Sequence, residues 1–310
     1  MSDAARGIAA VVAACVMWGG SMIFYKLIEH VPPLEVLAHR TLWTVVFFVL
    51  VLALRRRLHE IADLVRAPRL LLLIGFAAVM VGINWFCFVF SIQTGRALQS
   101  SLGYYIFPLV AVGLAFAVLG ERFTRGQSAA LALAAIAVAL LTFGLGRAPW
   151  IALILAVTFA LYGLAKNRIR TGALLSVLAE TILLLPLALG WLVALHLGVV
   201  PTLDGRPGGL FGADLFTSAM LAFSGPLTGV PLMLFSYATR RVSFATVGLA
   251  MYLNPTFQFF IAVLLFGEAF TLWHGLAFPL IWLALGLYSW ESWRRERARR
   301  AGGERRAIGA

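Results

Sequence analysis

The sequence predicts an all-α polytopic membrane protein of ten transmembrane helices, arranged as two inverted five-helix repeats. Three observations predict it: an apolar composition, a one-sided placement of basic residues, and an internal repeat at a fixed offset. Of the 310 residues, 62% are hydrophobic and 12% charged, and the mean hydropathy is +0.93. A soluble chain carries about 45–50% apolar and about 25% charged residues. No soluble core of this size could cover so much apolar surface, so lipid is the expected solvent.

A helix rising about 1.5 Å per residue needs about twenty apolar residues to cross a hydrocarbon core about 30 Å thick. Measured this way, spans fall near 8–27, 36–54, 70–91, 98–119 and 127–143, then 149–165, 173–197, 213–237, 244–266 and 272–291. Backbone polar groups in lipid must be bonded within their own segment, so these runs are helices. With a cytoplasmic N-terminus, the inner segments hold 20 basic residues and the outer loops only Arg96, Arg147 and Arg206. That bias places both termini in the cytoplasm of a bacterial inner (plasma) membrane. The formal net charge of +12 therefore sits at one membrane face, and the basic tail 294–310 suits anionic lipid headgroups, not nucleic acid. The outer stretch 198–212, rich in Gly and Pro, reads as a flexible joint. Cys15 and Cys87 lie inside apolar runs and read as small buried side chains.

The repeat divides the chain into residues 1–145 and 146–293. Tyr105-x-x-Pro108 with Gly120-Glu121-x-Phe123-Thr124 returns as Tyr252-x-x-Pro255 with Gly267-Glu268-x-Phe270-Thr271, and Gly82 and Gly229 keep the same offset of 147 residues. Trp18-Gly19 and Tyr162-Gly163 open the two halves. Five spans is an odd number, so the second copy enters the membrane upside down. Inverted repeats are a basis for alternating access around a site near the midplane.

At this point the chain resembles a known family. Ser101-Leu-Gly-Tyr-Tyr-Ile-Phe-Pro108-Leu through Gly120-Glu121-Arg122-Phe123 is similar to the RarD group of EamA-type transporters. So are Ala38-His39-Arg40 with Trp43, Asn84-Trp85, Phe159-Ala-Leu-Tyr-Gly163-Leu, and Glu180-Thr181 with Leu184-Leu185-Pro186. The resemblance implies ten helices, a cavity between the halves and export of small metabolites or drugs. Phe107 stands where the family often has Asn, whereas the repeat-related position keeps Asn254.

Charged residues within spans need an explanation, because insertion at a span centre costs about 2.5–3.5 kcal/mol. Arg40, beside His39, lies about five residues inside the second span, and Glu180 about eight residues inside the seventh. Val36-Leu-Ala-His39 and Val177-Leu-Ala-Glu180 suggest that the two places are repeat-related. Arg40 can snorkel to the headgroups or face a wet cavity; Glu180 can take up a coupling proton or balance Arg40. Asn84, Trp85, Tyr104, Tyr105, Tyr252, Asn254 and Gln258 form a second constellation. They are interhelical hydrogen-bond partners or the lining of an aromatic cavity for a partly aromatic or cationic solute. Trp18 and Tyr162 join the cavity candidates; Trp18 and Trp43 are equally placed to be interfacial anchors. Pro108, Pro255, Pro226 and Pro231 break the helical hydrogen-bond ladder and are candidate gating kinks. Glu121 and Glu268 are expected to cap or orient the helix that follows each.

No cofactor or metal is expected. His30, His39, His59, His196 and His274 are scattered, and no HExxH, Gly-x-Ser-x-Gly or Walker lysine loop is present, which argues against an enzyme or an ATP-driven pump. No loop is long enough for a sensor domain, and nothing resembles a channel filter. The sequence does not choose a substrate, a coupling ion or an oligomeric state.

Overall fold

The computed structural model describes residues 2–60, 68–119, 124–169, 172–202, 205–242 and 244–308. These residues are helical between short turns: α1 Asp3–Leu27, α2 Pro33–Leu54, α3 Pro68–Gln93, α4 Ala97–Leu119, α5 Arg125–Gly144, α6 Trp150–Lys166, α7 Ala173–His196, α8 Leu215–Thr239, α9 Phe244–Met251, α10 Leu253–Phe260 and α11 Leu272–Ile308. A π-helical turn, Ile261–Leu265, extends α10. Eight of the described helices are long and apolar enough to cross a membrane, and Trp150–Lys166 and Leu253–Leu265 are shorter apolar helices.

Local chemistry sets the ends. Ser2 and Asp214 cap α1 and α8 by accepting from Ala5 N and Thr217 N, and Thr124 with Gln127 forms a capping box on α5, satisfying backbone donors that have no intrahelical partner. Prolines fill the first position of α2 and the residue before α6. α3, α5, α7 and the π turn are each followed closely by a glycine with φ of 65–67° (Gly95, Gly146, Gly198 and Gly267). α2, α6 and α8 instead run into Arg55, Lys166 with Arg168, and Arg240. Arg56 adopts φ 55°, a left-handed position that normally belongs to glycine.

The span expected at 244–266 is interrupted between α9 and α10. Pro255 explains it, since it has no N–H to give to the carbonyl of Met251. Pro108, Pro226 and Pro231 lie inside α4 and α8, and Pro186 and Pro279 inside α7 and α11. Pro108 likewise frees the carbonyl of Tyr104.

Helix pairs touch in matched sets. α3 packs on α6, as α1 packs on α8; α2 packs on α8, as α3 packs on α7; α4 packs on α6, as α1 packs on α10. α2 with α7, α4 with α10 and α5 with α11 complete the bundle. Small residues permit the closest crossings. A Cβ on Gly225 or Gly229 of α8 would collide with Trp43 or Phe47 of α2, one on Gly19 would lie 2.6 Å from Phe257, and one on Gly103 would lie 2.8 Å from the carbonyl of Ala152. Gly225-x-x-x-Gly229 is the small-x-x-x-small pattern that brings membrane helices together.

Two buried carboxylates tie turns to helices. Glu268 accepts from Ala97 N at 2.5 Å and Leu98 N at 2.8 Å. It therefore caps α4 in the first half, which corrects the expectation that it serves the helix following it; Glu121 lies outside the described residues. Burial pushes the Glu268 carboxyl above its ordinary value, against the pull of those two donors and Lys26. Glu35, fully buried at the start of α2, accepts from Gly209 N at 2.9 Å and Leu210 N at 2.7 Å. Arg206 donates to the carbonyl of Glu29 and to Gln93 Oε1. The described part of the stretch 198–212 is thus pinned over the ends of α1, α2 and α3; the flexible joint expected there is corrected to a fastened cover.

Candidate functional site

The site grows from two charged side chains, each seven residues from the start of its helix, Arg40 on α2 and Glu180 on α7, or roughly 10 Å along the axis. Glu180 is fully buried. Its carboxylate accepts from Lys166 Nζ at 2.7 Å, Ser176 Oγ at 3.1 Å and Tyr162 OH at 3.1 Å. Lys166 also donates to Ser176 at 2.5 Å and keeps 23% of its side chain exposed. The balancing cation of Glu180 is therefore Lys166 and not Arg40, which corrects one of the two roles expected for Glu180. By hydropathy Lys166 falls just past the span 149–165, where a charge is ordinary. A signal was there: the chain has two lysines, Lys26 and Lys166, against 23 arginines, and each ends the first helix of its half.

Arg40 is only 7% exposed. Its guanidinium lies over the Trp85 ring at 4.1 Å and near the Tyr25 ring at 5.8 Å, and its Nε has no hydrogen-bond partner. Beside it His39, 4% exposed, stacks on Phe211 of the cover with ring centroids 4.8 Å apart, and Trp43 meets the same ring at 6.0 Å. Trp43 is thus turned into the bundle and is no interfacial anchor.

Aromatic rings connect the two charged places. Tyr25 meets Phe88, Phe88 meets Tyr104, Tyr104 meets Phe159 and Phe159 stacks on Tyr162, each step 5.7–5.9 Å between centroids. Phe107, standing where the family often has Asn, packs edge-on against Phe159 at 5.0 Å. Polar bonds fix the middle of the ladder: Tyr104 OH donates to Asn84 Oδ1 at 2.8 Å, and Asn84 Nδ2 donates to the Leu155 carbonyl at 3.0 Å and Thr158 Oγ1 at 3.2 Å. Trp85, Tyr104, Phe159 and Tyr162 are half-buried, and the ladder they belong to runs between α2, α3, α4, α6 and α7.

The second constellation divides. Tyr105, next to Tyr104 but about 100° around the helix, bonds Thr256 Oγ1 at 2.7 Å. With Tyr252 it lines a lateral cleft of about 430 Å³ completed by Phe260 and Trp282, both half-exposed on the outside of the bundle. Asn254 and Gln258 are bonded to each other at 3.1 Å, Pro255 O accepts from Ser101 at 2.8 Å, and Trp18 packs on Phe235 at 5.8 Å. These residues join α1, α4, α8 and α10 and do not meet Arg40. Pro226 lies within, and Pro231 two residues beyond, the Gly225–Gly229 contact with α2, where Gly225 abuts Trp43.

An apolar helical bundle that holds an ion pair and a buried arginine along a ladder of aromatic rings has the makings of a membrane carrier, and comparison with known proteins gives the class. Residues 5–143 match the EamA-like transporter family. RarD of Streptomyces exfoliatus is 38% identical, aligned over 92% of this chain and 88% of its own. An uncharacterized transporter of Vibrio cholerae is 36% identical over 93% of each chain. A chloramphenicol-sensitive protein RarD of Pseudomonas aeruginosa is 31% identical over 97% of this chain and 99% of its own. The chain belongs to the EamA-like transporter family, among its RarD relatives. A crystal structure at 16% identity superposes with a TM-score of 0.56, covering 94% of this chain and 99% of the other; at that identity the likeness concerns the fold alone.

Proposed function

We propose that this chain is a secondary transporter that exports small metabolites or drugs across a bacterial inner membrane by alternating access. Its two halves, 1–145 and 146–293, are inverted five-helix repeats, with Trp150–Lys166 and Phe244–Leu265 completing ten spans. The observation that carries the reading is the matched packing: exchanging α1, α2, α3, α4 and α5 for α6, α7, α8, α9–α10 and α11 turns each of the matched contacts above into another. Two halves packed this way have two equivalent arrangements, one open to each side, with the crevice between them.

The pairing across turns supports the grouping of the helix ends on two opposite sides. Arg241 meets Asp3 and Lys166 meets Glu180 at the ends assigned to the cytoplasm; Glu268 meets Ala97 and Glu35 meets Leu210 at the ends assigned outside. Both termini are then cytoplasmic, and the basic tail, continuing α11 out of the membrane, meets anionic headgroups where it emerges. Pro108 and Pro255, beside carbonyls freed at Tyr104 and Met251, are the flexing points, with Pro226 and Pro231 serving α8. The coupling proton moves through Glu180, whose contacts with Lys166 and Tyr162 provide exchange partners. The chain works as a carrier, not an enzyme.

Reconstituted protein tests this. Counterflow of a labelled solute, drawn from a metabolite and drug panel that includes chloramphenicol in view of the named relative, is the expected result. Ionic current in its place would mark a channel, and neither signal would remove transport. Cysteines introduced beside Glu35 and beside Lys166 should label from opposite faces; labelling from one face would remove the inverted repeat.

A further inference from the structure

The second half balances its embedded charge and the first does not. Among the described residues, Lys166 answers Glu180, Lys26 answers Glu29, Arg57 answers Glu60 and Arg241 answers Asp3. Glu35 and Glu268 are occupied by backbone N–H groups. None of these carboxylates meets Arg40, which lies 93% out of reach of solvent with its Nε unbonded. Aromatic faces offset only part of what it costs to hold a guanidinium away from water.

The Arg40 Nε is not alone in lacking a hydrogen bond. His39 Nδ1, Trp43 Nε1 and Thr44 Oγ1 are also buried without a hydrogen bond, and the four side chains occupy positions i, i+1, i+4 and i+5 of α2, within about a turn and a half. Arg Nε and Trp Nε1 can only donate, and a threonine hydroxyl can do so. A patch with this many donors, a positive charge and no carboxylate beside it is complementary to an oxyanion. Arginine's planar fork suits a carboxylate in particular. Trp85 offers the guanidinium a flat apolar face and Tyr25 lies beside it, ring and hydroxyl, and the ring ladder beyond runs through Tyr104, Phe159 and Tyr162.

We propose that the substrate is an organic carboxylate whose head is held by Arg40 and the donors of α2, with an aromatic or flat apolar body lying against Trp85 and the ring ladder. This deepens the transport reading and rests on it. The same charge repels cationic solutes, so the carrier discriminates by sign before it discriminates by shape.

Purified full-length protein is tested with benzoate, phenylacetate, cinnamate and indole-3-acetate, each beside its uncharged amide, and with benzylamine as the cation. Thermal unfolding in detergent and quenching of tryptophan emission are read as the ligand is titrated. The acids should stabilise the protein with at least tenfold higher apparent affinity than their amides, and benzylamine should not. Arg40→Gln should abolish the acid–amide difference while melting no lower than wild type without ligand, and Arg40→Lys should keep part of it. Acids and amides acting equally on wild type overturn the proposal without reference to any variant, as does an undiminished acid preference in Arg40→Gln. Counterflow on the same protein separates the two readings. Carriage of a neutral or cationic solute with none of the acids leaves the carrier and overturns the carboxylate. Arg40-dependent acid binding without any counterflow removes the carrier and leaves a carboxylate site.

Discussion

The Lys166–Glu180 pair offers a quantitative test because its two members are unequally buried. Glu180 has no side-chain exposure, and Lys166 retains 23%. Replacing Lys166 with Met leaves a carboxylate away from water with only the Ser176 and Tyr162 hydroxyls, and stranding one member of a buried pair costs about 3–5 kcal/mol. Replacing Glu180 with Gln leaves an ammonium that still reaches water and Ser176, so the loss should be nearer the worth of one charged hydrogen bond, about 1.5–3 kcal/mol. The double variant strands neither charge and should lie close to Glu180→Gln alone, well short of the summed single losses. Unfolding in mixed detergent–SDS micelles, followed by tryptophan emission, gives all four corners of the cycle. Equal losses for the two single variants, or a double variant additive within about 0.5 kcal/mol, would refute the asymmetric, coupled pair described here.

Other consequences follow from named contacts. Gly225→Ala should drive α8 away from Trp43 and destabilise by about 1–3 kcal/mol as an overpacked interface, measured in the same micelle assay. Glu35→Ala leaves the amides of Gly209 and Leu210 without their acceptor; hydrogen exchange should rise in 205–212 and leave α5 unchanged. Arg56→Gly relieves a left-handed residue worth about 1 kcal/mol, so the variant should melt higher than wild type. Because burial raises the Glu268 carboxyl, the folded state binds its proton more tightly than the unfolded chain. The stability this residue contributes is complete below its unfolded value and is lost as pH rises through its folded value. Subtracting the melting profile of Glu268→Gln from that of wild type between about pH 4 and pH 7 should give a difference that falls with rising pH; a difference that grows instead contradicts the shift.

Hydropathy located most of the helices to within a few residues, because lipid imposes one requirement on every span and the apolar runs report it directly; it did not show that α11 continues to Ile308. Arg40 and Glu180 stood out for the same reason, as charges where charge is expensive. Glu35 and Lys166 did not, since they fall at span ends, where a charged residue is ordinary and only its tertiary partner makes it unusual. Tyr104 and Tyr105 are neighbours in sequence and face different compartments of the bundle, a separation that helix geometry permits but does not assign. The cap that Glu268 places on α4 spans 171 residues, and no local pattern announces so distant a partner. Pro255 was legible as a break, whereas the π turn that follows it was not, because its register depends on packing beyond the proline.

The contrast between glycine-ended and arginine-ended helices bears on how the chain enters the bilayer during synthesis. In the proposed orientation the translocated turns, the stretch 197–214 apart, are short and carry few charges, while the arginine-bearing ends are never asked to cross. Helix pairs such as α3–α4 and α5–α6 can then pass through the insertion machinery as tight hairpins, with the glycine providing the bend and the trailing basic residues arresting further movement. A basic residue moved from the end of α2 to the Gly95 turn would burden that hairpin twice, by loading its tip and by releasing its anchor.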